Sequence, residues 1–329
     1  MLGIYLASLL LSAISSTQAR PSASSLRRSW SGYGNLEKFV VFGDSYSRIG
    51  FSASGTQPSA SNPFGNAGTT SADGYNWVKY LTLNHNESAF LTYDYALSGA
   101  TVNVSIVEGS VGRDVVGEVQ NTFLASYADN SSFAGDNVLY GTWIGINDVK
   151  GSYLGDDYEG ADFTIYTEII DSLASQVDAL YDNGARNFLF LTVPPLEKAP
   201  YTTTSSANAT RYPLMEAAVD DYNGKLLKLA KSVGHDYVGT NVFYMDAHAL
   251  FNDVIADPTQ FEETASYKDV TSYCDAYSSL TDDSDADSDE CDYAVYEYLW
   301  LNNLHPTYPI HNLLAKEIAA LLAAGPTFW

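Results

Sequence analysis

Four separate blocks of this chain carry residues that could do chemistry together: Gly43-Asp44-Ser45, Ser98-Gly99-Ala100, Gly145-Ile146-Asn147-Asp148 and Asn302-Asn303-Leu304-His305-Pro306-Thr307. Acyl transfer through serine needs a nucleophile, a base to take its proton, a group to orient that base, and N–H donors for the tetrahedral oxyanion. Ser45 ends the apolar run Phe39-Val40-Val41-Phe42, and its own amide can serve the oxyanion. Taken alone, Asp44 and Ser45 equally suit the cap of a following helix. Among five histidines, His305 is the strongest base, because the proline behind it holds the imidazole in a loop. His85 lies in a polar segment, His235 at a helix end, His248 in an apolar run and His311 within the last helix. Gly99 lets backbone approach a reacting carbonyl, although a plain turn glycine looks the same. Asn147 can aim a neutral amide N–H at an oxyanion or, with Asp148, cap its own turn.

In this order the blocks resemble those of the SGNH, or GDSL, hydrolase superfamily, named for a serine, a glycine, an asparagine and a histidine. Spacing and flanks are most similar to the fungal secreted acetylesterases of carbohydrate esterase family sixteen, and the likeness runs from Phe39 to the C-terminal helix. It implies one three-layer α/β/α domain with a central, mostly parallel, flavodoxin-like sheet, and an ester hydrolase removing acetyl groups from carbohydrates such as xylo-oligosaccharides. It also implies an oxyanion hole made of Ser45 N–H, Gly99 N–H and the Asn147 side chain, supported by Asp44 and Asp148. One position departs from the pattern. The superfamily usually has Asp three residues before the histidine, and this chain has Asn302. An amide can accept from the imidazole N–H and fix its tautomer, but it cannot stabilise the imidazolium by charge. Three outcomes are open: Asn302 in a weaker triad, a Ser45–His305 dyad oriented by a backbone carbonyl, or poor catalysis. A working enzyme is expected. The alternatives are a secreted GDSL lipase or phospholipase on longer acyl esters and, in a different class, a non-catalytic carbohydrate-binding protein.

Composition narrows the partners. Forty Asp and Glu against sixteen Lys and Arg leave a net charge of −24, which excludes nucleic acid and anionic membrane surfaces and suits a mildly acidic medium. Twenty-five tyrosines suggest polar-tipped aromatic surfaces of the kind that stack on sugar rings, although most are expected simply to pack. Met1 to Ala19 reads as a secretory signal, too short for a membrane span. Residues 20–35, with Arg27-Arg28, are expected to be a flexible N-terminal segment, and 36–329 the hydrolase domain. Secretion agrees with sequons at Asn86, Asn103, Asn130 and Asn208, and with a Cys274–Cys291 disulfide contributing on the order of 3 kcal/mol. Two free buried cysteines are the less favoured reading. The acidic run Asp282–Glu290 lacks the glycine and glutamate of a calcium loop and reads as solvated. No metal site is evident, and ester hydrolysis needs no cofactor.

The elements that must position these residues alternate in type. Strands are expected at Phe39–Phe42, Leu91–Leu97, Asn137–Ile144, Asn187–Val193 and Tyr237–Leu250. Helical spacing marks Tyr75–Leu83, Val115–Tyr127, Asp162–Asn183, Pro213–Val233 and Ile310–Ala324, and a helix is also expected to open directly behind Ser45. The stretch Arg48–Gly74, rich in Ser, Gly, Asn and Pro, is a long loop and a candidate wall of a substrate cleft.

Overall fold

A computed structural model describes residues 30–329 except 110, 111, 129, 156–159 and 283. The expected signal, residues 1–19, lies outside the described residues. Five strands, β1 Lys38–Gly43, β2 Leu91–Asp94, β3 Gly135–Trp143, β4 Ala185–Leu191 and β5 Asn241–Met245, form one sheet in the order β2-β1-β3-β4-β5. Every neighbouring pair is parallel, with Val41 of β1 opposite Asp94 on one side and Gly141 on the other. Phe39, Val40, Val41 and Phe42 are fully buried, as an unbroken apolar run in a parallel sheet covered on both faces requires.

The helices are α1 Trp77–Leu83, α2 Ala125–Tyr127, α3 Ile146–Ser152, α4 Thr164–Asp182, α5 Pro200–Thr203, α6 Asn208–Asp236, α7 Ala247–Ala256 and α8 Tyr308–Ala324. α1 and α7 pack with α8, while α3 and α4 pack with α6, so parallel crossovers build the three-layer α/β/α arrangement. Because the strand order turns outward on both sides of β1, the crevice between the carboxyl ends of β1 and β3 is the switch point where such sheets bind ligands.

Several expected boundaries change. No helix opens behind Ser45: Asp44 O accepts from Ser47 N and Arg48 N in a tight turn, and the next helix, α1, is capped by Asn76 instead. β2 stops at Asp94 rather than Leu97, because the Asp94 carboxylate accepts from Ala96 N and bends the chain. The apolar run 237–250 divides into β5 and α7. There Asp246 caps Ala249 N, and buried residues at 247, 250, 251 and 254 follow helical spacing. α6 starts five residues before Pro213 and carries it inside. Val115–Tyr127 is largely a π-helix, Gly117–Leu124, running into α2. The last part of the segment expected to be flexible is folded onto the domain. Trp30 Nε1 donates to Leu322 O at 3.2 Å, and buried Tyr33 donates to His85 O at 3.0 Å.

Candidate active site

β1 ends in Gly43 at φ +150°, where a Cβ would stand 2.3 Å from Trp143 O, so only glycine lets the two strand ends lie this close. The Asp44–Ser47 turn follows, tightened by Tyr46 N donating to Asp44 Oδ1 at 2.9 Å, and it presents Ser45 with 7% of its surface exposed. The other half of the site arrives from the loop ahead of α8. His305 Nε2 lies 2.7 Å from Ser45 Oγ, and His305 Nδ1 lies 3.1 Å from Asn302 Oδ1. Tyr46 O–H donates to Leu304 O at 2.5 Å, pinning the histidine loop to the serine turn.

The orientation of the Asn302 amide is fixed by its surroundings. Oδ1 accepts from Leu304 N at 3.1 Å and His305 N at 2.9 Å, while Nδ2 donates to Ser278 O at 3.3 Å. An oxygen therefore faces Nδ1, which selects the tautomer with its proton on Nδ1 and a free lone pair on Nε2 toward Ser45. Burial, with a smaller contribution from the Lys150 cation, lowers the His305 pKa to about 4, so the imidazole is neutral, with its Nε2 lone pair free, across mildly acidic pH. His311, on α8, is pushed down to about 3, chiefly by burial, and packs edge-on to Tyr46.

The expected oxyanion donors come from the strands around the switch point. Gly99, at φ +78°, is the third residue of a turn closed by Ala100 N to Leu97 O, a position that type II turns give to glycine. Asn147, one residue into α3, donates one amide hydrogen to Ala100 O at 2.9 Å. Its Nδ2 is also 3.5 Å from Asp44 Oδ2, too long a contact to satisfy the second hydrogen. Asp148 is fully buried, with Val102 N donating to both of its oxygens, and so anchors the chain just past Gly99. Burial raises both Asp44 and Asp148 to about 7. A serine in contact with a neutral, oriented imidazole is an arrangement that can carry out acyl transfer.

Over residues 39–318 the chain matches the GDSL-like lipase/acylhydrolase family. The chain belongs to that family. Among its relatives are an acetylesterase of Thermothelomyces thermophilus, 33% identical over 85% of this chain and 86% of that one, and an acetylesterase of Hypocrea jecorina, 25% identical over 90% and 92%. A solved structure, an acetylxylan esterase from Geobacillus stearothermophilus, aligns with 87% of this chain and 94% of its own at 16% identity and a TM-score of 0.47. This GDSL hydrolase is a carboxylic ester hydrolase.

Sequence reasoning missed several residues of the GDSL site. Asp94 accepts from Ile49 N and Ala96 N, and Glu118 accepts from Gly43 N and Leu97 N. Both are buried at the carboxyl edge of the sheet, and burial raises both well above the carboxylate range. Neither stands out in the sequence, since Asp94 shares its strand face with Thr92 and Glu118 has Asp114 and Thr122 at helical spacing on either side. Lys150, one turn after Asn147, lies with Nζ 5.6 Å from the centre of the Tyr201 ring, and Tyr201 N donates to Asn303 O at 2.7 Å. α5 thus backs the histidine loop.

The expected disulfide is present, joining Cys274 and Cys291 with Cα atoms 5.8 Å apart. Of the sequon asparagines, Asn86 and Asn130 are exposed and Asn208 is half-buried at the start of α6. Asn103 is half-buried, and its Nδ2 donates to Ser172 on α4, so a glycan there would have to displace that bond.

Proposed function

We propose that this protein is a secreted acetylesterase that removes acetyl groups from partly acetylated oligosaccharides, xylo-oligosaccharides among them, through an acetyl-serine intermediate. The observation that carries the reading is the continuous contact Ser45 Oγ–His305 Nε2–Asn302 Oδ1 at 2.7 and 3.1 Å. Ser45 Oγ attacks the acetyl carbonyl as its proton passes to His305 Nε2. The oxyanion is received by Ser45 N–H, Gly99 N–H and the second hydrogen of Asn147 Nδ2. Each such donor is worth roughly 3 kcal/mol at the transition state. The tetrahedral adduct collapses as His305 returns the proton to the departing sugar oxygen. Water then attacks the acetyl-serine with His305 again as base, releasing acetate and restoring the serine.

The acetyl preference is supported by the two fungal acetylesterases, each related over most of both chains. Secretion is supported by the apolar leader, the sequons and the disulfide.

The test is acetate release from p-nitrophenyl acetate and from acetylated xylo-oligosaccharides, with p-nitrophenyl palmitate alongside and Ser45→Ala as control. Turnover of the acetyl substrates is expected, falling by about a thousandfold or more in the variant. Preference for palmitate would replace the reading with a lipase. Sugar binding without hydrolysis by the folded protein would replace it with a carbohydrate-binding role.

A further inference from the structure

β1 and β2 stop pairing at Val41 and Asp94, yet the chain segments beyond must deliver Ser45 and Gly99 to one oxyanion. Past that point Leu97 N donates to Gly43 O at 3.0 Å, and a single side chain spans both segments from the flank. Glu118 Oε2 accepts from Gly43 N at 2.9 Å, and Glu118 Oε1 accepts from Leu97 N at 3.1 Å. Each bond lands two residues upstream of an expected oxyanion donor.

We propose that Glu118 is a positioning residue that sets the spacing between the Ser45 and Gly99 amides, an inference that rests on the reading of those amides as the oxyanion hole. Glu118 is 1% exposed, so no bulk water can stand in for either oxygen. The residue type follows from the geometry: both oxygens face backbone N–H groups, Leu97 N sharing its hydrogen with Gly43 O, and a carboxyl presents lone pairs to both in either protonation state whereas an amide turns a donor toward one. The surrounding helix agrees. Between Gly117 and Leu124 the turns are five residues wide, so Glu118 and Phe123 share a face. Phe123 packs against Phe42 and Tyr95 with ring centres 5.8 and 5.6 Å away, and these rings flank the same two segments that the carboxyl holds. The helix start is secured separately, by Asp114 accepting from Gly117 N and Val104 N.

Steady-state kinetics on p-nitrophenyl acetate would compare Glu118→Gln, Glu118→Asp, Asp114→Asn and Ser45→Ala, with inhibition by phenylboronic acid, whose serine adduct places a tetrahedral oxygen where the oxyanion forms. Glu118→Gln turns one acceptor into a donor facing an N–H. It is expected to lower kcat by about tenfold to a hundredfold with KM within about twofold, and to weaken phenylboronic acid in proportion. Glu118→Asp, keeping both acceptors on a shorter stem, should retain more kcat than Glu118→Gln. Asp114→Asn loosens the same helix start without removing either Glu118 bond and should keep kcat within about threefold at a comparable fall in Tm. Unchanged kcat in Glu118→Gln, a loss confined to KM, or an equal kcat loss in Asp114→Asn would each overturn the proposal. Full activity in Ser45→Ala would instead overturn the reading of the site itself. Ser45→Ala inactive beside Glu118→Gln fully active would remove only the role given to Glu118.

Discussion

At Asn302 the chain has replaced a charge with a two-sided hydrogen-bonding group, and the consequence is electrostatic. In serine protease triads an Asp→Asn change is damaging because it selects the wrong tautomer. Here Leu304 N and His305 N hold the oxygen toward Nδ1, and Ser278 O holds the nitrogen away, so the tautomer is right and the local negative charge is absent. A His305 pKa near 4 leaves the base form present as pH falls from neutrality to about 4. The acid limb of kcat/KM is therefore expected near pH 4. Asn302→Asp, by favouring the imidazolium, should move that limb up by roughly 1–3 pH units, while its second oxygen repels Ser278 O. A pH profile from 3 to 8 for both proteins tests this, and superimposed limbs would show that His305 does not sense position 302. The four blocks were legible from their residues and order through the family resemblance they carry, and Ser45 and His305 do meet. Whether Asn302 or a backbone carbonyl faces the imidazole was not legible, because the groups that decide it, Ser278 O above all, lie in an irregular loop with no periodic signal.

The loop that supplies Ser278 is itself an element, closed by Cys274–Cys291 and packed through buried Tyr277, Val295, Tyr298 and Leu301. Tyr277 O–H donates to Tyr293 O at 3.1 Å and accepts from Ser288 N at 2.9 Å, tying the two sides of the loop together. Opening the disulfide, by reduction or by a Cys274→Ala/Cys291→Ala double substitution, is expected to lower stability by about 2–4 kcal/mol. It should also lower kcat more than it changes KM, since Ser278 acts on the base through Asn302. Urea unfolding and steady-state kinetics on the same samples separate the two effects, and an unchanged kcat would disconnect the loop from His305. Strands and helices with clear periodicity were legible: β1, β3, β4, α4 and α8 fall close to where apolar spacing puts them. The misread span 237–250 has no Gly or Pro where it divides, at Met245–Asp246, its one glycine, Gly239, lying ahead of β5. Asp246, which makes the break, acts through a cap whose significance depends on the helix that follows.

For the molecule as a whole, the sign of the proton balance decides where it is most stable. Asp44, Asp148 and Glu197 are raised to about 7, chiefly by burial, and burial also raises Asp94 and Glu118 well above the usual carboxylate range. Between the unfolded carboxylate range near 4 and these folded values, the native state binds protons that the unfolded chain has released. Their contribution is present below about pH 4 and is lost as pH rises to 7 and beyond. His305 and His311, lowered to about 4 and 3, act oppositely between those values and pH 6.5. Five carboxyls outnumber these and His248, an imidazole also lowered by burial, and a net charge of −24 at pH 7 adds repulsion that acid relieves. The urea midpoint is accordingly expected to be higher at pH 5 than at pH 8, and the reverse order would mean that these carboxyls are ionised in the fold. The single sheet and its layers were legible from element alternation; of the acids that set this pH dependence, Asp44 and Asp148 stood out only as members of the motif blocks, and Asp94, Glu118 and Glu197 were hidden among forty acidic residues with no spacing to distinguish them. Nucleophile and base stand 260 positions apart, joined only when α8 has docked beside α1. While the chain is still being made, Ser45 is present without its base, so the first appearance of hydrolysis would time the arrival of the last helix rather than the formation of the sheet.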